Sequence, residues 1–246
     1  MEWLERLRIA YNNREFLLHN CYESIDNLVN RIGEDKIDIE CKGENFFLYD
    51  KNILYYFIRD FSNVDIKRGC YIYLINYHNK YFSKHENFLF CHKAILLNIF
   101  QQMELENVNE KCKQFDFIKQ TYIDEIEEVY YFFIKYFPIT VGEFISYDEF
   151  KSKYENLLIY KEDDRIKGAL LYSSLKNYAL INHLAVDRNL KCNNVAYALV
   201  NHFFKNNQDK NFYRLFVDIK NEHAIKFYKR LNFDFNNIQY RLYKIN

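Results

Sequence analysis

The sequence predicts a mixed α/β (α+β) fold, a largely antiparallel sheet flanked by helices. Three observations carry that expectation. Short runs rich in β-branched and aromatic residues alternate with stretches of helical period. Turn residues divide the runs. From Phe115 onward the elements fall in the order helix, helix, three strands, helix, strand, helix, strand. At 246 residues the chain can form one large domain or two small ones. A division is expected near Gln114, with residues 1–114 an α+β region and residues 115–246 a second domain.

In the first region a helix is expected over residues 14–31, ending at Gly33. Strands follow at 36–41, 45–49, 53–59 and 70–77, divided by turns such as Lys42-Gly43-Glu44 and Asp50-Lys51-Asn52. A second helix is expected over residues 93–113. No catalytic signature stands out in this half. In the second region a helix over residues 118–136 stops before Pro138, whose ring and missing N–H would break it. Ser146-Tyr147-Asp148-Glu149 reads as a capping box that opens a helix toward Tyr154. Strands 157–161 and 166–173 flank a polar hairpin turn at 162–165, and strand 178–186 continues the meander. Helix 194–205, strand 213–219, helix 221–231 and strand 239–245 complete the order.

Bulk composition excludes several function classes. Thirty-four basic and 34 acidic side chains cancel, so the basic surplus of a nucleic-acid binder is missing. No run approaches the ~18 apolar residues of a membrane span. The first six residues lack a basic segment followed by an apolar stretch, so a cytoplasmic location is expected. Six cysteines without a C-x-x-C pair read as reduced, mostly buried thiols. The seven histidines have no metal-ligand spacing, and no G-x-S-x-G, P-loop or H-E-x-x-H occurs. No metal is therefore expected. Abundant Asn, Lys, Ile, Tyr and Phe beside five Gly and one Pro resemble the product of an AT-rich coding sequence, a skew that erodes glycine motifs.

Two segments carry chemistry. Strand 178–186 ends in Leu184-Ala185-Val186, and the turn Lys191-Cys192-Asn193-Asn194-Val195-Ala196 opens the next helix. Unpaired N–H groups and the positive dipole end make a helix N-terminus a site for phosphates. About 25 residues later comes Asn221-Glu222-His223-Ala224-Ile225-Lys226-Phe227-Tyr228-Lys229-Arg230-Leu231-Asn232-Phe233. Both stretches also read as plain core stripes: Val195, Ala198, Leu199, His202 and Phe203 in one, and Ala224, Phe227, Tyr228 and Leu231 in the other.

In order and spacing these segments resemble the GNAT superfamily of N-acetyltransferases. Its signatures are a strand ending in Leu-Ala-Val, an R/Q-x-x-G-x-G/A turn and an N-x-x-A-x-x-F/L-Y-x-x-x-G-F helix. Here Lys191 replaces Arg or Gln, while Asn194 and Asn232 replace glycines. Asparagine is the best non-glycine occupant of a left-handed conformation, so both turns are expected to persist. The resemblance implies a GNAT-type fold using acetyl-CoA as co-substrate. It places Leu184, Ala185, Val186, Lys191, Cys192, Asn193, Asn194, Val195 and Ala196 at the coenzyme, and Asn221 at its pantetheine arm. It makes Tyr228 the general acid and a small-molecule or peptide amine the acceptor. Residues 139–143 and a last hairpin near Asn236 and Asn237 would wall the acceptor pocket.

The general base is not legible. His183 has a suitable pKa class, but alternation puts it on a face with Ile181 and Ala185, and Asn182 with Leu184. In arylalkylamine acetyltransferases, which look similar here, the functional histidine corresponds to Asn182. Packing is the expected role of His183 and of His202, and a water chain the default route for the proton. Residues 1–114 would be a diverged second lobe or an extension. A homodimer, a longer acyl chain or an aminoacyl donor, and a non-catalytic acyl-CoA sensor or interaction module stay open.

Overall fold

A computed structural model of the chain describes residues 2–33, 36–76, 79–107, 113, 115–137, 147–188, 190, 192 and 194–246. In chain order the elements are α1 (Glu2–Asn12), β1 (Leu18–His19), α2 (Ile25–Ile32), β2 (Ile37–Lys42), β3 (Asn45–Asp50), β4 (Ile53–Ile58), β5 (Tyr71–Asn76), α3 (Asn79–Cys91) and β6 (Ala94–Glu106). Then come β7 (Ile118–Gln120), α4 (Ile126–Tyr136), α5 (Tyr147–Ser152), β8 (Leu157–Glu162), β9 (Arg165–Ser174), β10 (Tyr178–Val186), α6 (Val195–Asn206), β11 (Phe212–Asp218), α7 (Glu222–Arg230) and β12 (Asp234–Ile245). The chain forms two compact units, Met1–Phe100 with Asn237–Asn246, and Gln101–Asn236. The boundary expected near Gln114 falls within the second.

In the first unit β2, β3 and β4 form an antiparallel meander, and the C-terminal part of β12 pairs antiparallel with β5. Leu4, Leu7, Ile25 and Leu28 of α1 and α2 cover one face, on Phe46, Leu48 and Phe57. Phe82, Phe88 and Leu89 of α3 cover the other, on Leu54, Tyr56, Ile72 and Leu74. Gly33 ends α2 at φ 88, a conformation open to glycine without strain.

Two helix expectations fail in this half. The stretch 14–31 is helical only from Ile25: α1 ends before it at Asn12, Arg14 turns left-handed (φ 56), and β1 precedes α2, which Ser24 caps. The stretch 93–113 is strand through Glu106, although Ala, Leu, Gln, Met and Glu all favour helix. Tertiary placement overrides that propensity, with Ala94, Phe100, Gln102 and Met103 buried. The helix lies earlier, as α3.

The second unit orders its strands β7-β8-β9-β10-β11-β6, the last contributing from Gln101. Ile126, Val129 and Phe133 of α4 and Phe150 of α5 pack on one face, against Leu157, Ile159, Ala169 and Leu171. Val195, Ala198, Leu199 and Phe203 of α6 and Tyr228 of α7 pack on the other, against Leu158, Leu170, Tyr213 and Leu215. The meander and the later elements match expectation within a few residues. The polar hairpin is a two-residue loop with Asp163 and Asp164 at φ 51 and 57, the pattern of a type I′ turn. The helix expected from residue 118 starts at Ile126, because residues 118–120 pair with β8 instead. Ser146 of the expected capping box and Pro138 lie outside the described residues. Of the five described cysteines only Cys21 and Cys70 are buried, while Cys41 and Cys91 are exposed; all five are free thiols.

Candidate active site

The site starts where two strands part. β10 and β11 pair in parallel from Tyr178↔Phe212 to Ile181↔Leu215, and the register ends there. On its other edge β10 stays paired with β9 as far as Val186↔Gly168. The Asp187 N–H donates to Lys167 O at 2.8 Å. Antiparallel alternation then turns the N–H of Ala185 toward β9 and those of Leu184 and Val186 toward the edge that β11 has left. Two backbone donors thus face an opening between strands.

A β-bulge sits at the parting point. Ile181 pairs with Tyr172 and His183 with Leu171, so Asn182 is the extra residue. The bulge corrects the simple alternation expected for this strand. Ala179 and Ile181 pack toward α6, as do Leu184 and Val186, whereas Ala185 packs toward α4. His183 therefore shares a face with Ala185 but not with Ile181. Its ring lies 4.7 Å from Phe137 and 5.9 Å from Phe133, centroid to centroid. Burial lowers its pKa to about 4, so it is a neutral packing histidine. His202 likewise packs: burial lowers its pKa, and its Nε2 accepts from the Phe115 N–H at 3.0 Å.

The N-terminus of α6 lies on the same side. Asn194 takes φ 70 and ψ 18, the left-handed conformation expected for a residue in a glycine slot. Its side chain makes no cap bond to the first turn of α6. Lys191 and Asn193 lie outside the described residues; Cys192 is half-buried against the α6 cluster, as Val195 is fully. Gly168, a residue the motifs did not single out, brings the helix to the sheet. A Cβ there would stand 2.8 Å from Val195 Cγ1 and 3.4 Å from both Leu199 Cδ1 and Tyr160 Cβ. Gly168→Val is expected to cost about 1–3 kcal/mol in a denaturant melt, as overpacking does, by pushing the first turn of α6 off β9. Unchanged stability would mean the helix has room to shift.

Asp187 fixes the end of β10. Its carboxylate takes Lys135 at 3.1 Å, Lys167 at 3.0 Å and the Tyr136 hydroxyl, joining β10 to α4 and β9. Sequence gave no signal for it, since a lone Asp after a strand is common.

The third wall is α7. Asn221 caps it, Oδ1 accepting the Ala224 N–H at 3.0 Å. At the far end Asn232 is left-handed, φ 66. Phe233 N–H donates to Tyr228 O at 3.1 Å and Asn232 N–H to Lys229 O at 3.0 Å, a Schellman motif. The Phe233 ring packs on Tyr228 at 5.7 Å. Tyr228 is 7% exposed, and its hydroxyl has no hydrogen-bond partner among the described residues. Burial raises its pKa, so it holds its proton throughout the neutral range.

The acceptor side is less fully placed. Residues 139–143 lie outside the described residues, and the hairpin expected near Asn236 and Asn237 is not formed, because β12 runs unbroken from Asp234 to Ile245. Among the described residues no three His, Cys, Asp or Glu side chains gather as a metal site, and no helix is long and apolar enough to cross a membrane.

Residues 121–233 match the Acetyltransferase (GNAT) family profile. Solved structures resemble the chain at low identity. A GCN5-related N-acetyltransferase from Sphaerobacter thermophilus is 12% identical, with a TM-score of 0.56 over 90% of this chain and 85% of its own. A GNAT-family acetyltransferase from Novosphingobium aromaticivorans is 12% identical, with 0.54 over 85% and 91%. Another from Colwellia psychrerythraea is 10% identical, with 0.54 over 94% and 100%. No curated protein sequence matches the chain. At such identities the likeness is one of fold.

Proposed function

We propose, for a chain whose residues 121–233 match the GNAT acetyltransferase family profile, that it transfers an acetyl group from acetyl-CoA directly to an amine. One observation carries the reading: the open edge of β10 past Ile181, with Leu184 and Val186 donors turned to it, adjoins the N-terminus of α6. The residues fit the coenzyme. The first-turn amides of Val195 and Ala196 would hold its pyrophosphate, beside Cys192 and Asn194; Lys191 and Asn193, expected at the same contact, lie outside the described residues. The Leu184 and Val186 backbone, spaced by Ala185, and the Asn221 amide would hold its pantetheine arm.

Acetyl-CoA, when bound, supplies an activated acyl group and a thiol leaving group. A backbone N–H at the open edge stabilises negative charge on an acyl oxygen, as fixed donors do in any acyl transfer. Tyr228 keeps a proton on its hydroxyl, ready for a departing sulfur, because burial raises its pKa and no acceptor among the described residues competes for it. His183 does not serve as the base: its ring is enclosed by Phe133 and Phe137 and resists protonation. Water then relays the acceptor's proton.

Titration with acetyl-CoA followed by thermal unfolding tests the reading. Free ligand at about 100 times its Kd adds about 2.7 kcal/mol of apparent stability. Release of free thiol with a panel of amines then detects transfer. No stabilisation would leave a fold serving only as an interaction module, and stabilisation without transfer a sensor. Asn194→Gly is expected to bind acetyl-CoA equally or better, since glycine keeps the left-handed turn and removes a side chain. A tenfold weaker Kd, about 1.4 kcal/mol, would contradict that account of the turn.

A further inference from the structure

We infer that the first unit is a second copy of the same fold whose cleft is sealed by its own chain, at residues 17–20. Both units run through a helix pair, a three-stranded antiparallel meander, a crossover to a parallel strand and a helix. In the first these are α1, α2, β2-β3-β4, β5 and α3; in the second α4, α5, β8-β9-β10, β11 and α7. In both the helix pair covers one face of the meander and the later helix the other.

Two differences separate the copies. The crossover between β10 and β11, residues 187–211, carries α6; that between β4 and β5, residues 59–70, carries only a 3-10 turn, Phe61–Asn63. Val64, Ile66 and Cys70 cover the face that α6 covers in the other unit. This crossover therefore offers no helix N-terminus to a phosphate.

The second difference is at the strand edge. β4 and β5 pair in parallel at Ile53↔Tyr71 and part beyond it, as β10 and β11 do. The edge of β4 so exposed is filled by β1, from the α1–α2 connection, paired as Leu18↔Ile58 and His19↔Phe57. Leu17 N–H donates to Ile58 O at 2.8 Å and Asn20 N–H to Tyr56 O at 3.3 Å. The Asn20 side chain, 2% exposed, accepts the Tyr56 N–H at 2.7 Å. Its NH2 donates to Leu54 O at 2.9 Å and to Tyr73 O at 3.4 Å, so one amide ties β4 to β5. The backbone groups that β10 leaves open are taken, on β4, by the protein itself. A chain so built binds one coenzyme. What the second cleft holds rests on the proposed function; the closure of the first does not.

Residue-resolved hydrogen exchange on the intact chain, with and without coenzyme A, tests this. In the free protein the Tyr56 and Leu17 amides are expected to exchange at least about a hundredfold more slowly than those of Leu184 and Val186, and to be unchanged by coenzyme A. Fast exchange at Tyr56, or slowing there when coenzyme A is added, would overturn the closure. If Leu184 and Val186 fail to slow, the transferase reading falls, while Tyr56 still decides the closure. Asn20→Ala is expected to lower the melting temperature yet keep one coenzyme per chain by calorimetry; two per chain would refute the seal.

Discussion

Tyr228→Phe is expected to lower turnover by about a hundredfold while the Kd for acetyl-CoA changes less than twofold. The size follows from what general-acid groups contribute, roughly 10²–10⁴ in rate. The selectivity follows from the packing. Phenylalanine keeps the ring against Phe227 and Phe233, and the lost hydroxyl breaks no internal hydrogen bond among the described residues. The fold therefore has little reason to weaken; the transition at guanidinium midpoint should hold or rise. Burial keeps the phenol protonated, so the wild-type rate should show no loss of this acid up to the alkaline limit of the assay. Equal turnover in wild type and variant would reduce Tyr228 to a core residue. A fall in binding as large as the fall in rate would instead point to a positioning defect at the C-terminus of α7.

The sequence disclosed the second unit's later elements because their signals are local. Strand 178–186 alternates, Asn221 caps, and asparagines stand in glycine slots at 194 and 232; the structure gives both of those a positive φ, 70 and 66. Three features were not legible. The bulge at Asn182 has no residue signature, because any side chain can occupy the extra position, yet it decides which face His183 takes. Gly168 reads as an ordinary glycine in a strand, and only the approach of Val195 gives it meaning. β6 carries a helix-favouring composition that its sheet neighbours override. The plug at Leu18 and His19 escaped for a related reason: two paired residues inside an irregular connection leave no periodicity to detect.

Acidification from pH 7 to pH 5 is expected to cost the folded chain about 4 kcal/mol, about 2 from each of two histidines. His85 is fully buried in the first unit, hydrogen-bonded through Nδ1 to the Tyr56 hydroxyl. Burial foremost, with the charges of His19 and Lys84, lowers its pKa to about 3. His183 in the second unit is lowered to about 4. Unfolded histidine titrates near 6.5. Below that value the unfolded chain binds protons that the folded chain refuses, so stability is full above about pH 6.5 and drains away as pH falls toward 4 and 3. Most carboxylates titrate below about pH 5, which leaves the interval from 7 to 5 largely to histidine. Trp3, the sole tryptophan, packs against the α1–α2 core, so its fluorescence in urea reports the first unit directly. Replacing His85 and Tyr56 together by phenylalanine removes both the titrating ring and the hydroxyl that it satisfies. In that double variant the Trp3 transition should lose at least half of its dependence between pH 5 and 7, with half-buried His19, lowered in the same direction, accounting for a remainder. A wild-type chain as stable at pH 5 as at pH 7 would show that His85 accepts a proton in the folded state, and that its enclosure by Tyr56 and Phe88 opens at little cost.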